Sequence, residues 1–135
     1  MNRTEEIELL EQLEQWNSKD EYSQCIQAIE AIPEQERGYL LTVKLSRAYS
    51  NLAVLGDHGV HGTDGEVDGD LIRHAIDLLE SVRTQGENDP YWNSRMGYSC
   101  LMAYRSAATA YEYAKCWLAL APDAPAAQKL VRDCE

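Results

Sequence analysis

The sequence has no long apolar run. No stretch approaches the ~18 consecutive apolar residues that a membrane-spanning helix requires. The first residues, Met1 to Ile7, also lack a basic segment followed by an apolar core, so we expect no secretory signal peptide. These two absences favour a cytoplasmic location and argue against a membrane as a partner.

The four cysteines contain no CxxC pair, which argues against a structural zinc site or a thioredoxin-like redox centre. Cys25, Cys100 and Cys116 fall within helical apolar patterns, where cysteine packs as a small apolar side chain. Cys134 lies in the last predicted helical turn. We therefore expect reduced thiols and no cofactor.

Positive charge is scarce. Twelve Lys and Arg residues stand against 23 Asp and Glu residues, which gives a formal net charge of -11. Such a surface repels phosphate groups, and no run of Lys and Arg with interleaved aromatics counteracts the repulsion, so we expect no nucleic-acid partner. A basic protein would be attracted through faster encounter, although the acidity by itself is enough to keep a small protein soluble.

Catalytic motifs are missing as well. There is no G-x-S-x-G, no H-E-x-x-H and no phosphate-binding glycine loop. Cys25 and Cys116 have no histidine placed by the sequence to activate them, and His74 follows Arg73 on a predicted solvated helix face. We predict that the protein is not an enzyme.

Helical periodicity is present nearly everywhere outside residues 55–70 and predicts seven helices. The third runs from about residue 34 to residue 53, and a break at 104–106 separates the fifth from the sixth. Five of the helices follow a side chain that favours the N-cap position: Thr4, Asp20, Asp70, Asp89 and Asp123. No segment alternates with period two, so we expect no strand, and the short turns indicate stacked antiparallel helix hairpins.

A pattern of small and large residues recurs in the even-numbered helices. Each copy has a small residue, a larger one four positions later and a packing residue three after that: Cys25, Ile29 and Ile32; Ala75, Leu79 and Val82; Ala110, Ala114 and Trp117. The preceding helices carry Ser46 then Tyr49, and Gly97 then Cys100. Small residues let two helix backbones approach closely, so we expect Gly97 to contact Ala110.

This arrangement resembles the tetratricopeptide repeat (TPR), a helix–turn–helix unit of about 34 residues. The third copy matches best, with Arg95-Met96-Gly97-Tyr98 in its first helix and Trp117 to Pro122 ending its second. The protein also resembles a bacterial TPR-like family through W-x-x-x-D-E-Y at 16–22, I-x-A-I-x-x-I-P at 26–33 and D-P-x-W-x-x-R-x-G-Y at 89–98. It departs from the repeat pattern at Leu13 and Ala114.

The resemblance implies an all-α fold in one domain. It predicts a right-handed superhelical stack of about three helix hairpins, at residues 4–33, 34–86 and 89–122, with a Gly/Asp-rich insertion at 55–70 in the second. A helix at 123–135 would cap the stack, because each hairpin buries its apolar face only against its neighbours.

The resemblance also implies a function, because in TPR-like modules the first helix of each hairpin lines a concave groove that holds a peptide or a partner's helix. The predicted groove residues are Lys44, Arg47, Asn51, Arg95, Tyr98 and Met102, together with Leu40, Val43, Ser50, Tyr91 and Ser94. Their Lys and Arg side chains would hold a carboxylate, from an acidic side chain or a peptide C-terminus. The alternative is that these cations pair internally with the many Asp and Glu side chains.

The 55–70 segment holds five of the eight glycines and two of the three histidines, and leaves three interpretations open. Asp64, Glu66, Asp68 and Gly69 match the start of an EF-hand loop, although its last ligand position is Ala75. Alternatively, His58 and His61, with Asp57 or Asp64, would bind a transition metal. The third interpretation is an acidic insertion without a ligand.

The leading hypothesis is therefore a protein–protein interaction module. One alternative is a metal-binding protein that uses the loop residues at 57–70. The other is a self-associating structural unit, a homo-oligomer, in which Tyr91, Trp92 and Tyr98 form an exposed apolar patch.

Overall fold

A computed structural model of the protein describes residues 1–59, 67–104 and 106–135, and these ranges are helical with no strand. Within these ranges eight α-helices follow one another: α1 (Arg3–Ser18), α2 (Tyr22–Glu30), α3 (Gly38–Leu55), α4 (Gly69–Glu80), α5 (Arg83–Gly86), α6 (Pro90–Tyr104), α7 (Ala107–Leu120) and α8 (Pro125–Cys134). Short 3-10 turns occupy Glu34–Glu36 and Asp57–Gly59. Across the described ranges, none of the helices has the combined length and apolarity that crossing a membrane would require.

Two predicted N-caps are wrong by two residues. Asn2, rather than Thr4, caps α1 by accepting a hydrogen bond from the backbone N–H of Glu5 at 2.8 Å. Asp68, rather than Asp70, caps α4. In both cases two capping side chains stand one turn or less apart, and the helix begins at the earlier one.

Three further predicted helix starts have different outcomes. Asp89 does cap α6, because its Oδ1 accepts from the backbone N–H of Tyr91 at 3.0 Å. The predicted cap Asp123 is wrong, since the N-cap of α8 is Ala124 and the favourable first-turn residue is Pro125. The third helix begins later than predicted, because a 3-10 turn precedes it and Gly38 enters it at φ +68°.

The predicted cap Asp20 is also wrong, because α2 is capped from a distant part of the sequence. Asp20 has a φ of +58°, and its carboxylate accepts a hydrogen bond from the Tyr22 hydroxyl at 2.7 Å. Asp57, just after α3, accepts from the backbone N–H of Ser23 at 2.9 Å and from the Ser23 hydroxyl. The N–H of His58 donates to the Asp20 carbonyl at 2.7 Å. These bonds fasten the end of α3 to the α1–α2 turn.

Small residues form the close junctions between paired helices. The Ser46 hydroxyl of α3 donates to the Ala75 carbonyl of α4 at 2.7 Å. A Cβ placed on Gly97 of α6 would lie 3.7 Å from the Ala110 carbonyl oxygen of α7 and 3.0 Å from Leu130 of α8. The expected contact of Gly97 with Ala110 is therefore present, and α8 packs onto the same junction.

Three apolar clusters form the core, and each shares a helix with the next. The first joins α1, α2 and α3, the second joins α3, α4 and α6, and the third joins α6, α7 and α8. Their central residues include Leu13, Ile29 and Leu45 in the first, Val43, Leu79 and Trp92 in the second, and Ala110 and Leu130 in the third. Each helix pair thus buries its apolar face against its neighbours in the sequence.

The predicted exposed aromatic patch is wrong, because Trp92 lies in the core. Its side chain is 1% exposed, and its indole N–H donates to the Leu79 carbonyl at 2.9 Å. The space for the ring comes from Gly86, at which a Cβ would lie 2.3 Å from the Trp92 Cγ atom. Tyr98 is only partly exposed, with its ring edge-on to Trp117.

Candidate functional site

Helices α1, α3 and α6 are joined along one side by a series of polar contacts, which we call the α1–α3–α6 face. Glu14 of α1 binds two cations of α3, and Asn51 donates to Asn17 of α1 at 3.2 Å. Arg95 of α6 donates to Ser50 of α3 at 2.7 Å. The predicted site residues therefore lie on neighbouring helices that contact one another.

Lys44 and Arg47 both pair internally with Glu14. Lys44 Nζ lies 3.1 Å and Arg47 Nη2 lies 2.8 Å from the same oxygen, Glu14 Oε1. The Arg47 hydrogen bond is the main reason that the pKa of Glu14 lies below its ordinary value. The side chains of Lys44 and Arg47 are only 19% and 13% exposed, so the internal pairing that the sequence left open is correct for these two residues.

Tyr91 lies beside the same cations. Lys44 Nζ stands 5.0 Å from the centre of the Tyr91 ring. The Tyr91 hydroxyl is buried and has no hydrogen-bond partner in the described part of the protein. Burial opposes the charge of Arg47, but Tyr91 and Glu14 together raise its pKa above the ordinary value. The two cations at the α3 end of this face thus share one carboxylate from α1.

Arg95 is in a different electrostatic position. Its Nη2 donates to the neutral hydroxyl of Ser50 at 2.7 Å, and that hydroxyl donates in turn to the Arg47 carbonyl at 3.0 Å. Its Nε is buried without a partner among the described residues, and no described carboxylate forms an ion pair with it. Burial, with the neighbouring Arg47 charge as a smaller contribution, lowers the pKa of Arg95. Arg95 is therefore a largely buried cation without a counter-charge in these ranges.

A cavity of about 170 Å³ opens next to Arg95. Its lining comes from α3, α4 and α6: Ser50, Asn51, Val54, Leu55, Ile72, Arg95, Tyr98, Ser99 and Met102. Four of the six principal predicted site residues line this cavity: Asn51 of α3, and Arg95, Tyr98 and Met102 of α6. Leu55 and Met102 are 43% and 37% exposed at the cavity, whereas Ile72 is 1% exposed and belongs to the core.

Three of the additional predicted groove residues are not on the surface. Val43 is fully buried because it packs in the α3–α4–α6 cluster, and Ser50 is 4% exposed because Arg95 covers it. Ser94 is 6% exposed, and its hydroxyl donates to the Tyr91 carbonyl at 2.6 Å. Helices α3 and α6 are therefore packed against neighbours on faces that the predicted groove would leave open. Leu40, at 40% exposure, is on the surface as expected.

Three of the predicted metal ligands, His61, Asp64 and Glu66, lie outside the described residues. Asp68 uses its Oδ1 to accept from the N–H groups of Asp70 and Leu71, at 3.1 and 3.2 Å. Over residues 1–59, 67–104 and 106–135 there is no group of three His, Cys, Asp or Glu side chains suited to a metal ion.

Two features of the site were missed in the sequence. Glu14 was not assigned a role, because the sequence gives no signal that connects it to residues about thirty positions later. Ile72 and Val54 were not singled out in the sequence, since a cavity depends on how three helices pack. Leu55 carried a usable signal, an apolar residue directly before the glycine-rich segment.

Comparisons of the sequence with protein-family models, with curated proteins and with solved structures gave no match. The resemblance to tetratricopeptide repeats therefore stays a prediction, supported by its motifs and by the small-residue junctions at Ser46 and Gly97.

Proposed function

We propose that this protein is a TPR-like protein–protein interaction module that holds a peptide or partner protein on the α1–α3–α6 face. The helix hairpins α3/α4 and α6/α7, with their small-residue junctions, support the repeat interpretation. In this interpretation α1, α3 and α6 form the inner layer of a superhelical stack, and α8 closes its end. The four cysteines are free, which suits the reducing cytoplasm that we propose as its location.

The observation that carries the proposal is the largely buried charge of Arg95, which has no carboxylate partner among the described residues. Removing a guanidinium from water costs free energy, and a hydrogen bond to the Ser50 hydroxyl recovers only part of that cost. A carboxylate from a partner would supply the missing counter-charge through charge-assisted hydrogen bonds. Such a residue contributes more to binding than it does to folding.

The charges around Arg95 restrict the partner. Lys44 and Arg47 already share the carboxylate of Glu14, whereas Arg95 has no carboxylate partner among the described residues. A ligand therefore gains most from a single carboxylate placed at Arg95. The exposed face of α1 carries further acidic side chains that repel a strongly acidic partner: Glu5, Glu8 and Glu11. We therefore propose a partner segment with one carboxylate beside apolar groups that cover Leu55 and Met102.

Affinity capture with matched variants tests this function. The immobilised protein, Arg95→Met and Arg132→Met are each incubated with lysate of the native host, and bound proteins are quantified by mass spectrometry. Arg132 is an exposed cation of α8, so its substitution changes the net charge equally without touching the groove. We expect Arg95→Met to reduce capture of the specific partner at least about tenfold, the loss of one charge-assisted contact.

Two results would count against the proposal. Equal capture by Arg95→Met and the unsubstituted protein would remove Arg95 from the interface. Equal losses in both variants would show that net charge, rather than the groove, governs capture. Circular dichroism and urea unfolding of each variant establish that the fold is retained.

A further inference from the structure

We infer that the cavity between α3, α4 and α6 is a binding site for a small apolar carboxylate, a carboxyl group carried on a branched aliphatic body. The inference deepens the proposed function and rests on it, because it specifies the chemical group that enters the face at Arg95. The acid group can belong to a free small molecule or to the last residue of a peptide. Both sources present the same chemistry to the cavity.

The size of the cavity limits the ligand. A volume of about 170 Å³ is close to that of an engineered protein cavity of about 150 Å³ that holds benzene. It is well below the ~300 Å³ at which pockets for drug-sized ligands begin. The site therefore accommodates one side chain of leucine size or one acid of similar bulk, rather than a nucleotide or an oligosaccharide.

The walls combine apolar and polar side chains. Val54, Leu55 and Met102 contribute aliphatic and thioether surface, and Ile72 provides an apolar surface from the core. Burying a branched aliphatic group against these side chains removes apolar area from water. Arg95 contributes a positive charge to the same lining.

Unpartnered polar atoms at the cavity indicate what the ligand must supply. Arg95 Nε and the Ser99 hydroxyl are buried without hydrogen-bond partners among the described residues, and both side chains belong to the lining. The single guanidinium bond within these ranges runs to the uncharged Ser50 hydroxyl. A carboxylate compensates this charge, whereas a neutral apolar molecule does not, and a cation is repelled by Arg95 and the nearby Arg47.

A methyl-detected NMR titration tests the inference with 4-methylpentanoate as the probe and 4-methylpentanamide as its uncharged control. We expect saturable shifts of the Leu55, Ile72 and Met102 methyl signals with the acid at millimolar concentration. Leu9 lies in the α1–α2–α3 cluster and is absent from the lining, so its signals should not move. The amide should bind at least about tenfold more weakly, because it carries no charge for Arg95.

A second pair of probes separates the two sources. N-acetyl-Gly-Gly-Leu is compared with its C-terminal amide under the same conditions. Tighter binding of the peptide acid than of 4-methylpentanoate identifies the C-terminus of a peptide as the natural source. Equal or weaker binding identifies a free small acid. Either result supports binding of a carboxylate in the cavity, provided that each acid binds more tightly than its amide.

Two variants and one control variant distinguish a loss of acid binding from a loss of folding. Arg95→Met should abolish the preference for acid over amide. Met102→Trp should fill the opening and reduce acid binding at least about tenfold, while Leu120→Trp, at a similarly exposed position of α7, should leave it unchanged. Met102 is on the surface, so its substitution is compatible with folding.

The inference is overturned if acid and amide bind equally, if the cavity methyls do not shift at about 20 mM acid, or if Met102→Trp binds the acid unchanged. These failures are distinguishable from failure of the proposed function. Partner capture that depends on Arg95 can persist without small-acid binding, in which case the interaction face stands and its cavity is not an acid site.

Discussion

The hydroxyl of Ser46 in α3 donates a hydrogen bond to the backbone carbonyl of Ala75 in α4 at 2.7 Å, and both residues are fully buried. A second junction of the same kind brings Gly97 of α6 against Ala110 of α7. In each hairpin the second helix presents alanine and the first presents serine or glycine, so the two backbones approach closely. These two contacts set the spacing of the layers that carry the proposed groove.

The Ser46 junction predicts that a large side chain at position 46 destabilises the protein more than a small one. Ser46→Ala removes one buried hydrogen bond and should lower the free energy of unfolding by about 1 kcal/mol. Ser46→Leu must also separate α3 from α4, so the loss should be about 3 kcal/mol. Urea unfolding followed by circular dichroism measures both. Equal effects of the two substitutions would show that the helices are not in close contact at this point.

Gly86 gives a sharper steric prediction. A Cβ there would lie 2.3 Å from Trp92 Cγ, so Gly86→Ala should lower the free energy of unfolding by about 2 kcal/mol or more. Gly69→Ala is the matched control, because its Cβ would meet only the Arg73 side chain at 3.7 Å within a helix. That change should be neutral or slightly stabilising. A tolerated Gly86→Ala would contradict the burial of Trp92.

The interactions of Asp57 predict how the stability of the fold depends on pH. Burial by itself would raise the pKa of Asp57, but hydrogen bonds from Ser23 and the backbone N–H of Tyr22 together lower it. A carboxyl group with a lowered folded-state pKa stabilises the fold above its unfolded pKa of about 3.9, and that stability is lost as the pH falls through the folded value.

Asp57→Ala should therefore lower the free energy of unfolding by about 1 kcal/mol at pH 7, the typical contribution of an N-cap. The difference from the unsubstituted protein should shrink as the pH is reduced below about 4, where the carboxylate becomes protonated. Urea unfolding at a series of pH values measures this. A difference that stays constant down to pH 2 would show that the charge of Asp57 does not cap α2.

Arg95 predicts a conflict between folding and binding. Arg95→Met replaces a largely buried cation, without a carboxylate partner among the described residues, by an apolar side chain of similar length. The free energy of unfolding should therefore rise by about 1 kcal/mol. Ser50 keeps its hydrogen bond to the Arg47 carbonyl in this variant. A loss of more than about 1 kcal/mol would instead identify Arg95 as a stabilising residue.

Much of the fold follows from local patterns. Helical periodicity and the recurring small residues predicted seven of the eight described α-helices and the junctions at Ser46 and Gly97, but not the short α5. N-caps were less predictable, because neighbouring side chains such as Asp68 and Asp70 are equally suited and tertiary packing selects between them. The capping of α2 by Asp57 lay beyond local reasoning, since the two residues that it joins are 34 positions apart.

The site could be predicted only in part, because charges act through space. The helical register placed Arg95, Tyr98 and Met102 together on α6, and these residues do line one cavity. It did not indicate that Glu14 pairs with both Lys44 and Arg47, which depends on how α1 packs beside α3. Nor did it indicate that Trp92 is buried, which depends on the space left by Gly86.

Hydrogen exchange of the protein with and without its captured partner tests the binding face most directly. If the partner occupies the α1–α3–α6 face, exchange should slow in residues 44–55 and 91–102 and remain unchanged in α7. Slower exchange confined to α7 and α8, with α3 and α6 unaffected, would place the partner on the opposite side of the molecule and contradict the proposed function.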